Sequence, residues 1–71
     1  MQKGTISNNI RVLRFQNEEM TQQELADRVG VTRQTIHAIE AAKYSPSLAL
    51  AFGIATVFEV PLEQVFQYKQ N

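Results

Sequence analysis

The chain has 71 residues, 44% of them hydrophobic, and contains no cysteine. This length predicts one domain with a modest core, residues 1–71, and excludes an inserted catalytic module, while the lack of cysteine excludes disulfides and zinc fingers. Seven basic and seven acidic residues give a net charge of zero, which argues against a nucleic-acid partner unless the charges are segregated on the surface.

Hydrophobic spacing and capping residues predict five helices and two short strands. In chain order the helices run from about Asn9 to Gln16, from Thr21 to Val29, from Thr32 to about Ala42, from just after Ser45–Pro46, and from Pro61 to near Phe66. Ser7, Asn8 or Asn9 would cap the first helix, and Ser45 or Ser47 the fourth. The fourth is apolar nearly all round, as a central core helix would be. Lys3–Ile6 and Gln67–Lys69 remain as strands that would pair across the two ends.

The second and third predicted helices, at 21–42, carry the strongest signal in the chain. Thr21 and Glu24 have the spacing of a capping box, so one helix should begin there. Gly30 supplies the left-handed conformation that ends a helix, and Thr32 caps the next one. Two short helices joined by a turn of three to four residues form a helix-turn-helix, which presents its second helix to a groove.

This segment resembles the Cro/Xre-type, lambda-repressor-like family of DNA-binding regulators. The family pattern is T-Q-x-x-L-A-x-x-x-G-V-(S/T)-x-x-x-I-x-x-(I/L/W)-E, and its fixed positions are met by Thr21, Gln22, Leu25, Ala26, Gly30, Val31, Thr32, Ile36, Ile39 and Glu40. The resemblance continues through Asn9–Arg14 and Ser45–Phe66. It implies an all-α, compact five-helix DNA-binding domain, to which the two short terminal strands would be added.

Three departures from the family pattern have structural consequences. The connection from Arg14 to Thr21 is one residue longer than usual, so the loop 17–20 should bulge. Ala42 stands where the family often has glycine; if the backbone there is left-handed, alanine costs about 1 kcal/mol, and otherwise the helix extends. Small side chains replace the charged face of the fourth helix, at Ala49, Gly53 and Thr56.

The outward face of the third helix is the candidate reading surface. Helical spacing groups Ile36, Ile39, Glu40 and Lys43 on one side and Gln34, His37, Ala38 and Ala41 on the other, with Arg33 on the flank of the first turn. Arginine and glutamine read guanine and adenine edges in the major groove, and the resemblance implies base contacts at these two positions. It places Ala38 at a third base-reading position, and His37 would contact a base or a phosphate. The alternative is a merely solvated polar turn.

Phosphate contacts are expected around the same helix, because helix N-termini favour anions. The resemblance implies such a contact at Gln22, at the start of the second helix. The full expected set is Thr21, Gln22, Thr32, Thr35, Lys43, Tyr44 and Ser45. For Tyr44, packing over the loop is an equal alternative.

Arg14 and Glu40 fall on the inward faces of the first and third helices, where charges must be paired. The family's buried arginine–glutamate pair matches these two positions, so we expect a structural ion pair. Removing either partner alone should cost roughly 3–5 kcal/mol of stability.

These observations favour a sequence-specific regulator of double-stranded DNA, a repressor that binds a palindromic operator as a homodimer. The dimer would form through apolar residues near the C-terminus, namely Leu62, Val65, Phe66 and Tyr68. The alternative is a protein-binding module such as an antitoxin, favoured by the neutral charge and the small-residue face of the fourth helix.

Enzymes are disfavoured, because one histidine, no cysteine and no glycine-rich phosphate loop leave no catalytic set. No cofactor, metal or small-molecule ligand is expected. The longest apolar run, Leu48–Phe58, is too short to span a membrane, and the N-terminus lacks the apolar segment of a signal peptide, so we expect a soluble, cytoplasmic protein.

Overall fold

A computed structural model of the chain describes residues 4–70 and contains five helices and a two-stranded sheet. The elements in chain order are β1 (Gly4–Asn8), α1 (Ile10–Gln16), α2 (Gln22–Val29), α3 (Arg33–Glu40), α4 (Leu48–Phe58), α5 (Leu62–Val65) and β2 (Phe66–Gln70). The predicted five-helix fold with short terminal strands is confirmed, with helix ends differing from prediction by one to two residues at most positions.

The two strands pair antiparallel and join the ends of the described chain. Their register places Gly4 opposite Gln70 and Asn8 opposite Phe66. Both strands are longer than predicted, and Lys3, which the sequence placed in the first strand, lies outside the described residues. The backbone N–H of Asn9 donates to the Val65 carbonyl at 2.9 Å, which ties the start of α1 to the end of α5.

Local capping chemistry fixes the helix starts. Thr21 and Glu24 form the predicted capping box, with hydrogen bonds of 3.0 Å and 2.8 Å in its two directions. Thr32 accepts from the backbone N–H of Thr35 at 3.2 Å and caps α3. Ser47, one of the two predicted candidates, caps α4 by accepting from the N–H of Leu50 at 3.1 Å.

The core is formed by all five helices around a small set of fully buried aliphatic side chains. The most deeply buried are Ile10, Leu25, Ile36, Ile39, Ile54 and Val65. α2 packs against both α3 and α4, so it holds α3 to the rest of the domain.

α4 differs from the predicted central helix, because only one of its faces is covered. Ala51, Ile54, Ala55 and Phe58 are buried, whereas Leu48 is 68% exposed and Phe52 51% exposed. Gly53 does not contribute to an open small-residue surface, since a Cβ there would lie 3.9 Å from the Val29 side chain. The second face of α4 is therefore an exposed apolar surface.

The loop between α1 and α2 bulges, as its extra residue predicted. Glu18 and Glu19 are consecutive residues with positive φ, at 59° and 55°. Met20 then turns inward and is buried in the core, and its carbonyl accepts from Arg14 Nη1 at 2.8 Å. The bulge thus places a carbonyl where it satisfies one donor of a largely buried arginine.

Candidate nucleic-acid interface

The turn between α2 and α3 sets the direction in which α3 leaves the domain. Gly30 has φ 79°, in the left-handed region, and its N–H donates to the Ala26 carbonyl at 2.8 Å. Val31 donates to the same carbonyl at 3.0 Å. Only Gly30, Val31 and Thr32 separate the two helices, so the angle between them is fixed by this short turn and by the buried contacts of Leu25 with the core.

α3 exposes a polar face that begins in its first turn. Arg33, Gln34 and His37 are exposed, whereas Ala38 and Thr35 are half-buried. Ala38, predicted to point fully outward, therefore lies at the edge of this face and offers less surface than the three polar residues.

α3 ends two residues earlier than predicted, and Ala42 takes the left-handed conformation that was one of the two alternatives. The φ of Ala42 is 61°. Its N–H donates to the Ile39 carbonyl at 3.0 Å, and the N–H of Lys43 donates to the Ala38 carbonyl at 2.9 Å. This pattern is a Schellman motif. Helical spacing had predicted that Lys43 shares the inward face with Ile36. This was wrong: the chain turns away at Ala42, and Lys43 is exposed.

Arg14 and Glu40 are brought together as the sequence predicted. Arg14 Nε donates to Glu40 Oε2 at 2.7 Å, and Nη2 donates to Oε1 at 3.1 Å, so the contact is bidentate. Their side chains are 15% and 10% exposed, which makes the pair largely rather than fully buried. Removing one partner would leave the other charge largely buried and unpaired.

Gln22 joins this ion pair. Its Nε2 donates to Glu40 Oε1 at 3.2 Å, and the side chain is half-buried. The sequence assigned Gln22 to a phosphate contact and gave no sign of this bond. The amide nitrogen carries a second hydrogen, so the bond to Glu40 orients the side chain and leaves one donor free.

Asn8, one of the three predicted candidates for capping α1, has a second role that the sequence did not show. Its Nδ2 donates to the carbonyls of Ile39 and Glu40, at 3.0 Å and 3.4 Å, and its Oδ1 accepts from the N–H of Ile10 at 3.1 Å. One side chain therefore caps the start of α1 and satisfies carbonyls at the end of α3. Asparagine before a helix signals a cap, but its partners 31 and 32 residues away are visible only in the fold.

The expected phosphate contacts fall into two groups in the structure. The hydroxyls of Thr21 and Thr32 accept hydrogen bonds within their own caps, and Thr35 Oγ1 lies 3.0 Å from that of Thr32. In the loop after α3, the exposed set is Lys43, Tyr44 and Ser45. Tyr44 also lines a cavity of about 350 Å³ between this loop and the terminal sheet.

The four residues predicted for a dimer surface differ in their exposure to solvent. Val65 is fully buried in the core, so its inclusion was wrong: α5 is a single turn that points this side chain inward. Leu62 and Phe66 are half-buried and pack against the core, and Tyr68 is 59% exposed. Ile6, directly opposite Tyr68 in the sheet register, is 45% exposed and was not predicted.

Neither a metal site nor a membrane-spanning helix is found in the part of the chain that the structure describes. Between residues 4 and 70 no three side chains among histidine, aspartate and glutamate lie close enough to hold a metal ion. No helix in the same range has the length and apolar character needed to cross a bilayer.

The helix-turn-helix family model matches residues 14–65, which include the ion pair, the turn and α3. Three similar proteins are uncharacterised helix-turn-helix-type transcriptional regulators. One from Methanocaldococcus jannaschii is 54% identical over 52 residues, covering 73% of this chain and 79% of its own. One from Archaeoglobus fulgidus is 53% identical over 52 residues, covering 73% of each chain. One from Bacillus subtilis is 50% identical over 51 residues, covering 72% of this chain and 77% of its own.

A solved structure has the same architecture. The crystal structure of a candidate DNA-binding protein from Bacteroides fragilis superposes with a TM-score of 0.76 at 25% identity, covering 89% of this chain and all of that one. Together with the matched segment and the three relatives, this structure confirms the resemblance that the sequence indicated. The chain belongs to the Cro/Xre-type helix-turn-helix family of transcriptional regulators.

Proposed function

We propose that this regulator is a repressor that reads a palindromic operator in double-stranded DNA as a homodimer. The observation that carries the proposal is the exposed polar face of α3, on a helix whose far end is fixed by Arg14, Gln22 and Asn8. A reading helix must enter the major groove at a defined angle, and three hydrogen-bonding partners at one end restrict that angle.

Arg33 and Gln34 are the residues that would read bases. Both are exposed in the first turn of α3, where recognition helices of this type meet base edges. Arginine pairs with guanine O6 and N7, and glutamine with adenine N6 and N7. His37 lies one turn further and would contact a base or a phosphate, while the half-buried Ala38 would offer a methyl group to a thymine.

Phosphates would bind on both sides of α3. Gln22 would use its free amide hydrogen, Lys43 its ammonium group, and Tyr44 and Ser45 their hydroxyls. The amides at the starts of α2 and α3, behind Thr21 and Thr32, would add to the positive potential, with Thr35 beside them. These contacts give local attraction to DNA although the net charge of the chain is zero.

Two copies would compensate for the modest attraction of one neutral domain. The surface we propose for the dimer is the face of the terminal sheet that carries Tyr68, together with the accessible parts of Leu62 and Phe66. A two-fold axis here would place two α3 helices on one face of the DNA, about 34–36 Å apart. Occupying such an operator is sufficient to block transcription, and a DNA partner implies a cytoplasmic location.

Selection of bound sequences from random DNA, repeated at two salt concentrations, tests this proposal. We expect enrichment of one palindromic sequence. Against it, Arg33→Ala and Gln34→Ala should each cost about 1–3 kcal/mol of specific binding, because each removes a base contact. Gln22→Ala should weaken specific and nonspecific binding alike.

An Arg33→Ala/Gln34→Ala double variant that bound the selected operator as tightly as wild type would show that α3 is not the reading helix. Failure to enrich any sequence would contradict the function itself.

A protein-binding module, such as an antitoxin that neutralises a partner, is the second candidate. The exposed Leu48 and Phe52 on α4 favour it, because two large apolar side chains one turn apart are a common docking surface. Recovery of a stable complex with a second protein on purification, together with selection that enriches no DNA sequence, would favour this candidate.

A further inference from the structure

A groove between α1 and α3 lies beside the start of α2. It has a volume of about 400 Å³ and is lined by Asn8, Arg11, Arg14, Gln22, His37, Glu40 and Ala41. His37 also belongs to the exposed face of α3. The groove therefore opens next to the surface that would face DNA.

One cation in this groove has no partner of its own. Arg14 and Glu40 neutralise each other in their bidentate contact. Arg11 is exposed, and its guanidinium takes part in no ion pair or hydrogen bond with residues 4–70. The groove thus keeps one uncommitted positive charge, beside the free amide hydrogen of Gln22.

We propose that a DNA backbone phosphate occupies this groove and that Arg11 donates to it next to Gln22. The inference rests on the proposed function and adds to it a contact from α1. A helix in the major groove has the sugar–phosphate strands on both of its sides, so the groove flanking α3 is where a phosphate would come. The planar guanidinium has two parallel N–H groups that match two phosphate oxygens.

Glu19 is the acidic residue that would compete for Arg11. Both residues line a neighbouring groove together with Phe15, but they form no ion pair. Arg11 is therefore within reach of a carboxylate without being held by it. A backbone phosphodiester carries the same single charge as Glu19, but the neighbouring phosphates of the duplex add to its potential and would draw the guanidinium to the α3 side.

Two matched variants test the contact. Arg11→Gln removes the unpaired charge of α1, and Arg28→Gln removes another exposed arginine that forms no ion pair with residues 4–70, at the end of α2 opposite to Gln22. Arg11→Gln should weaken both specific and nonspecific binding about tenfold and reduce the slope of log K against log salt by about 0.9. Arg28→Gln should change neither quantity. Equal effects of the two variants, or no effect of Arg11→Gln, would overturn the proposal.

A second measurement identifies the phosphate directly. Synthetic operators that each carry one neutral methylphosphonate, placed at successive positions, are bound to wild type and to Arg11→Gln. We expect one position at which the substitution weakens wild type about tenfold and leaves Arg11→Gln unchanged, because the contact is already lost. If every position weakens both proteins equally, Arg11 touches no phosphate.

The two proposals fail in different ways. If the Arg33 and Gln34 variants lose sequence-specific binding while Arg11→Gln binds normally, the groove assignment is wrong and the function stands. If wild type binds no DNA sequence selectively, both are wrong.

Discussion

Ala42 is the residue whose conformation and identity are in clearest conflict. Its φ of 61° suits glycine, because a Cβ in the left-handed region meets the neighbouring carbonyl. The two hydrogen bonds that close α3 nevertheless hold the backbone in this conformation. The domain therefore carries local strain directly after α3.

Ala42→Gly should raise the free energy of unfolding by about 1 kcal/mol, because it relieves that strain. Chemical denaturation of both proteins measures the difference. Ala41→Gly is the matched control: Ala41 has φ −81°, where glycine brings no relief, so this change should lower stability. A stability of Ala42→Gly equal to or below that of wild type would contradict the strain.

Residues with local roles could be predicted from the sequence, and residues with distant partners could not. Thr21, Glu24 and Thr32 cap helices within three residues of themselves, so spacing alone identified them. The bonds of Gln22 and Asn8 to α3 could not be predicted, because their partners lie 18 or more positions away. The ion pair was predicted because both charges fall on inward helix faces and the family pattern has such a pair at these two positions.

At the scale of elements, α3 is fixed at Glu40 from three directions. Arg14 of α1 and Gln22 of α2 hold its carboxylate, and Asn8 holds its backbone carbonyl. The first turn, with Arg33 and Gln34, has no such anchor beyond the Thr32 cap. α3 is thus held at the end remote from Arg33 and Gln34, which we propose as base-reading residues, and a change there would alter the angle of the whole helix.

Asn8→Asp should reduce operator affinity more than nonspecific affinity. The carboxylate can still accept from the N–H of Ile10, but it cannot donate to the carbonyls at the end of α3, and its charge is unfavourable there. We expect a loss of about 1–2 kcal/mol in stability and a lower ratio of specific to nonspecific binding. Denaturation and competition binding measure the two effects.

Asn9→Asp is the control for this change. Asn9 is exposed and donates through Nδ2 to Gln64 at 3.1 Å, so the same substitution removes a side-chain bond without touching α3. It should leave the specificity ratio unchanged. If the two variants shift that ratio equally, Asn8 has no particular role in orienting α3.

The burial of α4 shows what a hydrophobic pattern cannot predict about a helix. Its run of apolar residues indicates a helix but cannot distinguish a central helix from one with an uncovered face. Leu48 and Phe52 look as buried in the sequence as Ile54. Which of them is covered depends on where α2 and α5 pack, and that placement is set by the turns.

At the scale of the whole molecule, the terminal sheet adds little to the core, and Phe66 is its one hydrophobic residue packed against the buried cluster in the described chain. β1 is exposed except at Asn8, and β2 is half-buried only in its first two residues. The side chain of Tyr68 lies against Gly4, where a Cβ would overlap its ring. Tyr68 therefore stays on the sheet surface, at the position we propose for the dimer contact.

Tyr68→Asp should yield a folded monomer whose affinity for the palindrome falls to that for a half-site, because two coupled sites become one. Sedimentation at micromolar concentration and binding to both DNAs measure this. Phe52→Asp is the matched control, since Phe52 is a similarly exposed aromatic residue on α4. If Phe52→Asp and not Tyr68→Asp gives the monomer, the dimer forms through α4 instead.

The pairing of β1 with β2 also determines when the protein becomes active during its synthesis. Of the described elements, β1 leaves the ribosome first and β2 last. β1, which ends at Asn8, therefore cannot pair until β2 has emerged. α2, the turn and α3 can fold earlier, because their contacts are local in sequence. In a nascent chain, α3 therefore lacks the contact with a sheet-held Asn8 until β2 has emerged. We therefore expect full DNA-binding competence only after β2 has emerged and paired with β1.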